Sequence, residues 1–182
     1  MLGGPVSPWE VIWPSSLRRS APVDAIVLHS IGGPSAGQAL NRLEAAGVSA
    51  HYVIDQEGEL YLLVAEDEAA WHAGGGRLPP EAGPRALNGR SIGIELVVES
   101  ARAATYSAAQ LATLEHLVRA IGRRHPIAWL ASHEAVDRRR LTPRQPPDVQ
   151  RTDPWRLPPE VWARLLAALT VEGPALDVRL DV

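Results

Sequence analysis

Glu95 stands where a carboxylate is costly. The stretch RSIGIELVV, residues 90–98, carries Ile92, Ile94, Leu96, Val97 and Val98, the pattern of a strand buried on both faces. An ionised carboxylate in such an interior costs several kcal/mol unless it is paired or put to use. Glu95 therefore needs a partner or a function.

The six histidines are the other chemistry-bearing residues. Histidine is the commonest metal ligand, yet a lone one is more often structural. His29 and His133 each end an apolar strand-like run, VDAIVLHS and IAWLAS, where side chains converge at the rim of a sheet. Both are candidates for ligands or for structural residues. His51 starts a strand between Ala50 and Tyr52, and His72 follows Trp71 at the mouth of a long loop. Each is open between a structural role and substrate contact. His116 lies opposite the apolar stripe of its helix and reads as solvated, and His125 falls in a last helical turn, where a cation suits the dipole. The segment HEAVD, residues 133–137, resembles the HExxH helix of zinc proteases with Asp137 in place of the second histidine. Its plainer reading is a pair of carboxylates at the start of a short helix.

The elements that must position these residues alternate between strand and helix patterns. Ser35 with Gln38, and Ser107 with Gln110, are capping boxes. The first opens a helix with Leu40 and Leu43 on one face, ending at Gly47. The second opens a helix with the stripe Leu111, Leu114, Val118 and Ile121. SAHYVID and ELYLLVA, joined through QEG, read as a hairpin. HAGGGRLPPEAGPRALNG is a long Gly/Pro loop of the kind that carries function. Residues 138–159 form a second loop rich in Pro and Arg, PEVWARLLAALT a final helix, and the chain from Gly173 a poorly fixed tail. The expected fold class is a single α/β domain, a central mixed sheet flanked by helices. The expected division is an N-terminal extension over 1–22, a catalytic domain over 23–170 and a tail over 171–182.

Composition narrows the functions. The chain of 182 residues suits one domain, and 46% hydrophobic content makes it globular. Its formal net charge of −3 gives no reason to expect nucleic acid. It has no cysteine, which excludes disulfides, thiolate metal sites and thiol nucleophiles. All 18 basic residues are arginine, so no lysine does chemistry here. No apolar run approaches a membrane span, and MLGGPVSPWEVIWPSSLRRS lacks a signal-peptide core. A soluble cytoplasmic monomer is expected.

VSAHYVIDQEGELYLLV, AWHAG, NGRSIGIEL, the two strand-end histidines and RTDP occur in an order that resembles the zinc-dependent N-acetylmuramoyl-L-alanine amidases of the type-2 family, which includes recycling amidases, phage lysins and peptidoglycan recognition proteins. The resemblance covers roughly residues 23–155. It implies one Zn2+ per chain held by His29, His133 and Asp153, with Glu95 as the catalytic acid–base. Two imidazoles and a carboxylate leave the fourth tetrahedral position open, the layout of a catalytic zinc. The implied substrate is peptidoglycan or its muropeptide fragments, cut between the muramyl sugar and L-alanine.

Two positions depart from the family pattern. Arg151 stands where the family has a lysine two residues before the third ligand; it keeps the charge needed to stabilise an oxyanion but is planar and never neutral. Trp155 follows TDP where many relatives have glycine, and could pack under the loop or wall a groove. Trp71, His72 and His51 are the expected substrate contacts. Two other readings stay open: a muropeptide-binding protein that does not cut, and a zinc protease working through HEAVD. In the cell the amidase reading fits a cytoplasmic recycling enzyme or a phage or prophage lysin released to the wall.

Overall fold

Apolar runs without alternation become the inner strands of one sheet. The computed structural model describes residues 16–19, 21–100, 105–137, 153–155, 157–170 and 179–181. Its strands are β1 (Ser16–Arg18), β2 (Ala25–Gly32), β3 (Tyr52–Ile54), β4 (Leu60–Leu62), β5 (Glu68–Ala69), β6 (Ser91–Val98), β7 (Trp129–Ser132) and β8 (Arg179–Asp181). The helices are α1 (Ala36–Ala46), α2 (Ala108–Arg124), α3 (His133–Val136) and α4 (Pro159–Thr170). The main sheet has the order β4-β3-β6-β2-β7-β8 and is parallel except for β4, which pairs antiparallel with β3. β1 and β5 form a separate antiparallel pair. All eight residues of β6 are buried, as a central parallel strand requires. The single α/β domain with a mixed sheet and flanking helices agrees with the expectation.

Register decides which residues meet. β2 and β6 pair in parallel with His29 opposite Glu95. Side chains alternate between faces, so the even-numbered Ile26, Leu28, Ile92, Ile94 and Leu96 share one face. There they pack with Leu130 of β7, Leu114, Val118 and Ile121 of α2 and Trp162 and Leu165 of α4. On the other face, Val53 and Val97 meet Ala39 and Leu43 of α1, while Val27 and Ala131 meet Leu78 and Leu87 of the 70–90 loop. His29 and Glu95 lie along their strands between these two smaller clusters.

Local chemistry sets the helix ends. The Ser35 side chain accepts from Gln38 N–H at the start of α1, and Gly47 closes the helix at φ 64, a left-handed conformation that favours glycine. Ser107 likewise accepts from Gln110 N–H. The Gln110 side chain, however, turns into the core and donates to the carbonyls of Ile54 and Val97, tying α2 to β3 and β6. Two strand-end carbonyls buried away from water outweigh a reciprocal cap. In the β3–β4 turn, Gly58 has φ 84, and a Cβ there would lie 2.9 Å from the Ala109 backbone, so the turn and α2 both need glycine.

Three segments between or beyond the main elements are tied into the fold. The segment beyond Gly173 is not merely a tail, because β8 extends the main sheet beside β7. β1, from the N-terminal extension, likewise pairs with β5. The 72–89 loop is anchored: it contains short 3-10 turns at Pro80–Ala82 and Leu87–Gly89 and buries Leu78 and Leu87.

Arg90 locks that loop to the sheet. Its buried guanidinium donates to both oxygens of Asp24 and to the Ala82 carbonyl, the last at 2.6 Å. Asp24→Ala strands this buried charge and should destabilise the fold by about 3 kcal/mol, the low end for a broken buried pair because Asp24 keeps some contact with water; denaturant unfolding checks this. A second clamp is Glu66, which accepts from Tyr52 Oη at 2.7 Å and from Arg124 at 2.7 and 3.0 Å, with His125 Nε2 at 2.7 Å. Burial alone would raise its pKa, but the bonds from Arg124, Tyr52 and His125 bring it down to about 2. The folded value lies below the ordinary 4.5, so the stabilisation is complete above that value and is lost as pH falls toward 2. The stability gap between the wild type and Glu66→Gln should therefore be widest above about pH 5 and close in strong acid. A gap independent of pH would remove the clamp.

Candidate metal centre

Three distant segments converge at the C-terminal ends of β2 and β7. His29 comes from β2, His133 opens α3 directly after β7, and Asp153 comes from the loop before α4. One ligand atom from each lies within 4.8 Å of the others, a grouping able to hold a metal ion. His133 Nδ1 is 2.9 Å and His29 Nδ1 3.6 Å from Asp153 Oδ2. The two imidazole centroids are 4.7 Å apart. Ser132, the last residue of β7, caps α3 by accepting from Ala135 N–H and so turns the chain sharply at His133.

The aspartate loop is held by hydrogen bonds that cross the sequence. Ser30 N–H donates to Asp153 Oδ1 at 2.6 Å, and Trp155 N–H donates to Ser30 Oγ at 2.9 Å. Tyr106 Oη donates to the Trp155 carbonyl at 2.7 Å, and Glu134 N–H donates to the Asp153 carbonyl at 2.9 Å. The residue after His29 thus orients the carboxylate that faces His29.

Glu95 sits on the same face, 8% exposed, and its Oε2 is buried with no hydrogen-bond partner among the described residues. Burial first, and the Asp153 charge second, push its pKa well above the ordinary range. Asp153 moves the other way: burial opposes its ionised form, but His133, hydrogen-bonded to it, and the neighbouring His29 outweigh burial and lower its pKa. Burial lowers the pKa of His29, despite the opposing pull of Asp153. The two carboxylates are therefore driven apart, one held ionised and the other disposed to carry a proton. Two imidazoles, a carboxylate and an orphaned carboxylate oxygen facing the same space fit a metal with an open coordination position.

The centre lies in a groove of about 860 Å3 lined also by Trp71, Val48 and Arg42. Trp71 is 54% exposed and lines the groove. His51 is fully buried: its Nδ1 accepts from Gly93 N–H at 2.9 Å, and Nε2 lies 3.1 Å from the Glu68 carbonyl. Burial, reinforced by the Arg19 charge, lowers its pKa to about 3. Its ring braces β6, and the expected substrate contact is not available to it. His72 borders the groove but is 7% exposed and hydrogen-bonded to His29 and Ser91. Arg151 lies outside the described residues. Trp155 contributes through its backbone to the aspartate loop. HEAVD does not form a zincin-like helix: α3 is four residues long, Asp137 is its C-cap with extended backbone, and His133 groups instead with His29 and Asp153.

Ser30, Tyr106, Ser91 and Arg19 were not legible as site-building residues. Gly93 carried a signal, since an isolated glycine inside a strand marks a close approach, and a Cβ there would lie 2.4 Å from His72 Cγ.

The fold is shared with several solved structures. The N-acetylmuramoyl-L-alanine amidase LysC from Clostridium intestinale URNW superposes with a TM-score of 0.62 at 20% identity, over 89% of this chain and 96% of that one. A selenomethionine derivative of AmpD gives 0.59 at 26% identity, over 93% and 100%. AmpDh3 from Pseudomonas aeruginosa, in complex with an anhydromuramic pentapeptide, gives 0.58 at 25% identity, over 92% and 66%. No curated protein matches the chain in sequence. The family model for N-acetylmuramoyl-L-alanine amidase matches residues 19–154, and the chain belongs to that family, as its motifs implied. No helix among the described residues is long and apolar enough to cross a membrane.

A buried carboxylate with an unpartnered oxygen costs stability. Glu95→Gln keeps the shape and removes the ionisable group, so the metal-free variant should melt above the metal-free wild type in a thermal scan at a pH above the ordinary carboxylate range. A lower midpoint would mean that the carboxylate is paired and structural.

Proposed function

We propose that the protein is a zinc-dependent amidase that hydrolyses the bond between N-acetylmuramic acid and L-alanine in peptidoglycan or its soluble muropeptides. The observation that carries this reading is the unpartnered Glu95 Oε2, on a residue that lines one groove with the His29, His133 and Asp153 group. Family membership and the likeness to AmpD and to the muropeptide-bound AmpDh3 support it.

His29, His133 and Asp153 would hold one zinc ion per chain. When bound, zinc acts as a Lewis acid that lowers the pKa of water to about 7 and polarises the scissile carbonyl. Glu95 takes the proton of the attacking water and returns it to the leaving amine nitrogen. A raised pKa suits that second step, because the carboxyl must carry a proton before the C–N bond breaks. Trp71 offers its face to the sugar or to an apolar part of the peptide. Arg151 is assigned as the donor to the developing oxyanion, by sequence position alone.

The test offers zinc-loaded protein both intact sacculi and soluble anhydro-muropeptide and measures release of the peptide headed by L-alanine. Hydrolysis of at least one is expected, lost on chelation and restored by zinc. Their relative rates separate a wall lysin from a recycling enzyme. Glu95→Gln should retain zinc while turnover falls by about 10²- to 10⁴-fold, and Arg151→Ala should act mainly on kcat. Zinc bound with neither substrate cut would replace the enzyme by a muropeptide-binding protein.

A further inference from the structure

Behind His29 lies a short chain of hydrogen bonds that reaches the protein interior. His29 Nε2 is 3.0 Å from His72 Nδ1, and His72 Nε2 is 3.1 Å from Ser91 Oγ. Ser91 Oγ in turn donates to the Leu87 carbonyl at 2.6 Å. His29, His72 and Ser91 are all buried.

Donor and acceptor counting fixes the protons. The Leu87 carbonyl only accepts, so the single hydroxyl proton of Ser91 goes to it. Ser91 Oγ must then accept, and the proton between it and His72 belongs to His72 Nε2. A neutral imidazole carries one proton, so His72 Nδ1 is left with a lone pair. His72 is buried and hydrogen-bonded to no carboxylate among the described residues, so a charge on its ring would go uncompensated. The proton between the two histidines therefore sits on His29 Nε2. That leaves His29 Nδ1 bare on the side facing Asp153 Oδ2.

We propose that His72 and Ser91 are positioning residues that select the Nε2–H tautomer of His29 and so present its Nδ1 lone pair as a metal ligand. The inference rests on the reading of His29, His133 and Asp153 as a metal centre. It replaces substrate contact as the role of His72. Gly93 is part of the same device: a Cβ there would lie 2.4 Å from His72 Cγ and 2.6 Å from its Nδ1, so only glycine lets the ring lie against β6 at hydrogen-bonding distance from His29. Partners of this kind orient a ligating imidazole and raise its basicity, and losing them typically weakens metal binding by about 10- to 100-fold.

The experiment uses the full chain with 15N-labelled histidine. Long-range 1H–15N spectra of the metal-free protein report the tautomer of His29, and competition with a chromophoric chelator reports zinc affinity. The wild type should show His29 as Nε2–H. His72→Phe, which keeps a ring but has no nitrogen, should lose that preference and bind zinc about 10- to 100-fold more weakly. His72→Gln offers a carbonyl to His29 and an amide to Ser91 and should restore most of the affinity, which a merely space-filling role would not require. Ser91→Ala leaves the ring in place and should shift His29 toward the Nδ1–H form, a readout that survives if His72→Phe fails to fold. A metal-free wild type with His29 as Nδ1–H, or unchanged zinc affinity in His72→Phe, overturns the proposal. Failure of the wild type to bind zinc overturns the metal reading instead, while the tautomer, read without metal, still decides this one.

Discussion

The pairing of β2 with β6 governs the rest of the molecule. The two strands run parallel with His29 opposite Glu95 and Val27 opposite Gly93. Side chains alternate with a period of two, so a slip of one residue would send Glu95 into the apolar layer under α2 and α4 and turn Ile94 toward the groove. The register is held from both sides. Ile92, Ile94 and Leu96 are fully buried on one face, and on the other Val97 is fixed against α1 and Gly93 under His72. A costly cluster of histidines and carboxylates is tolerated on one face because the opposite face carries the largest hydrophobic cluster of the described residues.

Asp153 reaches the site by a different principle. No strand or helix carries it. Hydrogen bonds from Ser30, Trp155, Tyr106 and Glu134 fold its loop onto the ends of β2 and α3. Strands thus place two residues by register, while the third is placed by a network whose members are far apart in sequence. The 70–90 loop combines both means: Leu78 and Leu87 bury themselves, and Arg90 ties its end to Asp24 beside β2.

Much of this was legible in the sequence. Glu95 betrayed itself as a charge in an apolar run, the serine caps of α1 and α2 lie where the capping patterns put them, and the motif order pointed to the family. What was hidden depended on partners remote in sequence. Gln110 reads as a capping-box residue, and only the sheet beneath it supplies the two carbonyls that draw it inward. His51 and His72 look alike on paper as possible substrate contacts, yet one braces a strand and the other backs His29. β8 has no strand signal strong enough to stand alone, and its pairing comes from the open edge of β7.

The amide of Ser30 has a consequence for ion selectivity. Its bond to Asp153 Oδ1 leaves Oδ2 as the oxygen turned to His29 and His133, so the proposed cation would meet two imidazole nitrogens and one carboxylate oxygen. Calcium seeks six to eight oxygens and magnesium an octahedron of them, and neither finds enough here. On the zinc reading, a preference for a small, nitrogen-loving ion would be written partly by a backbone N–H that does not touch it.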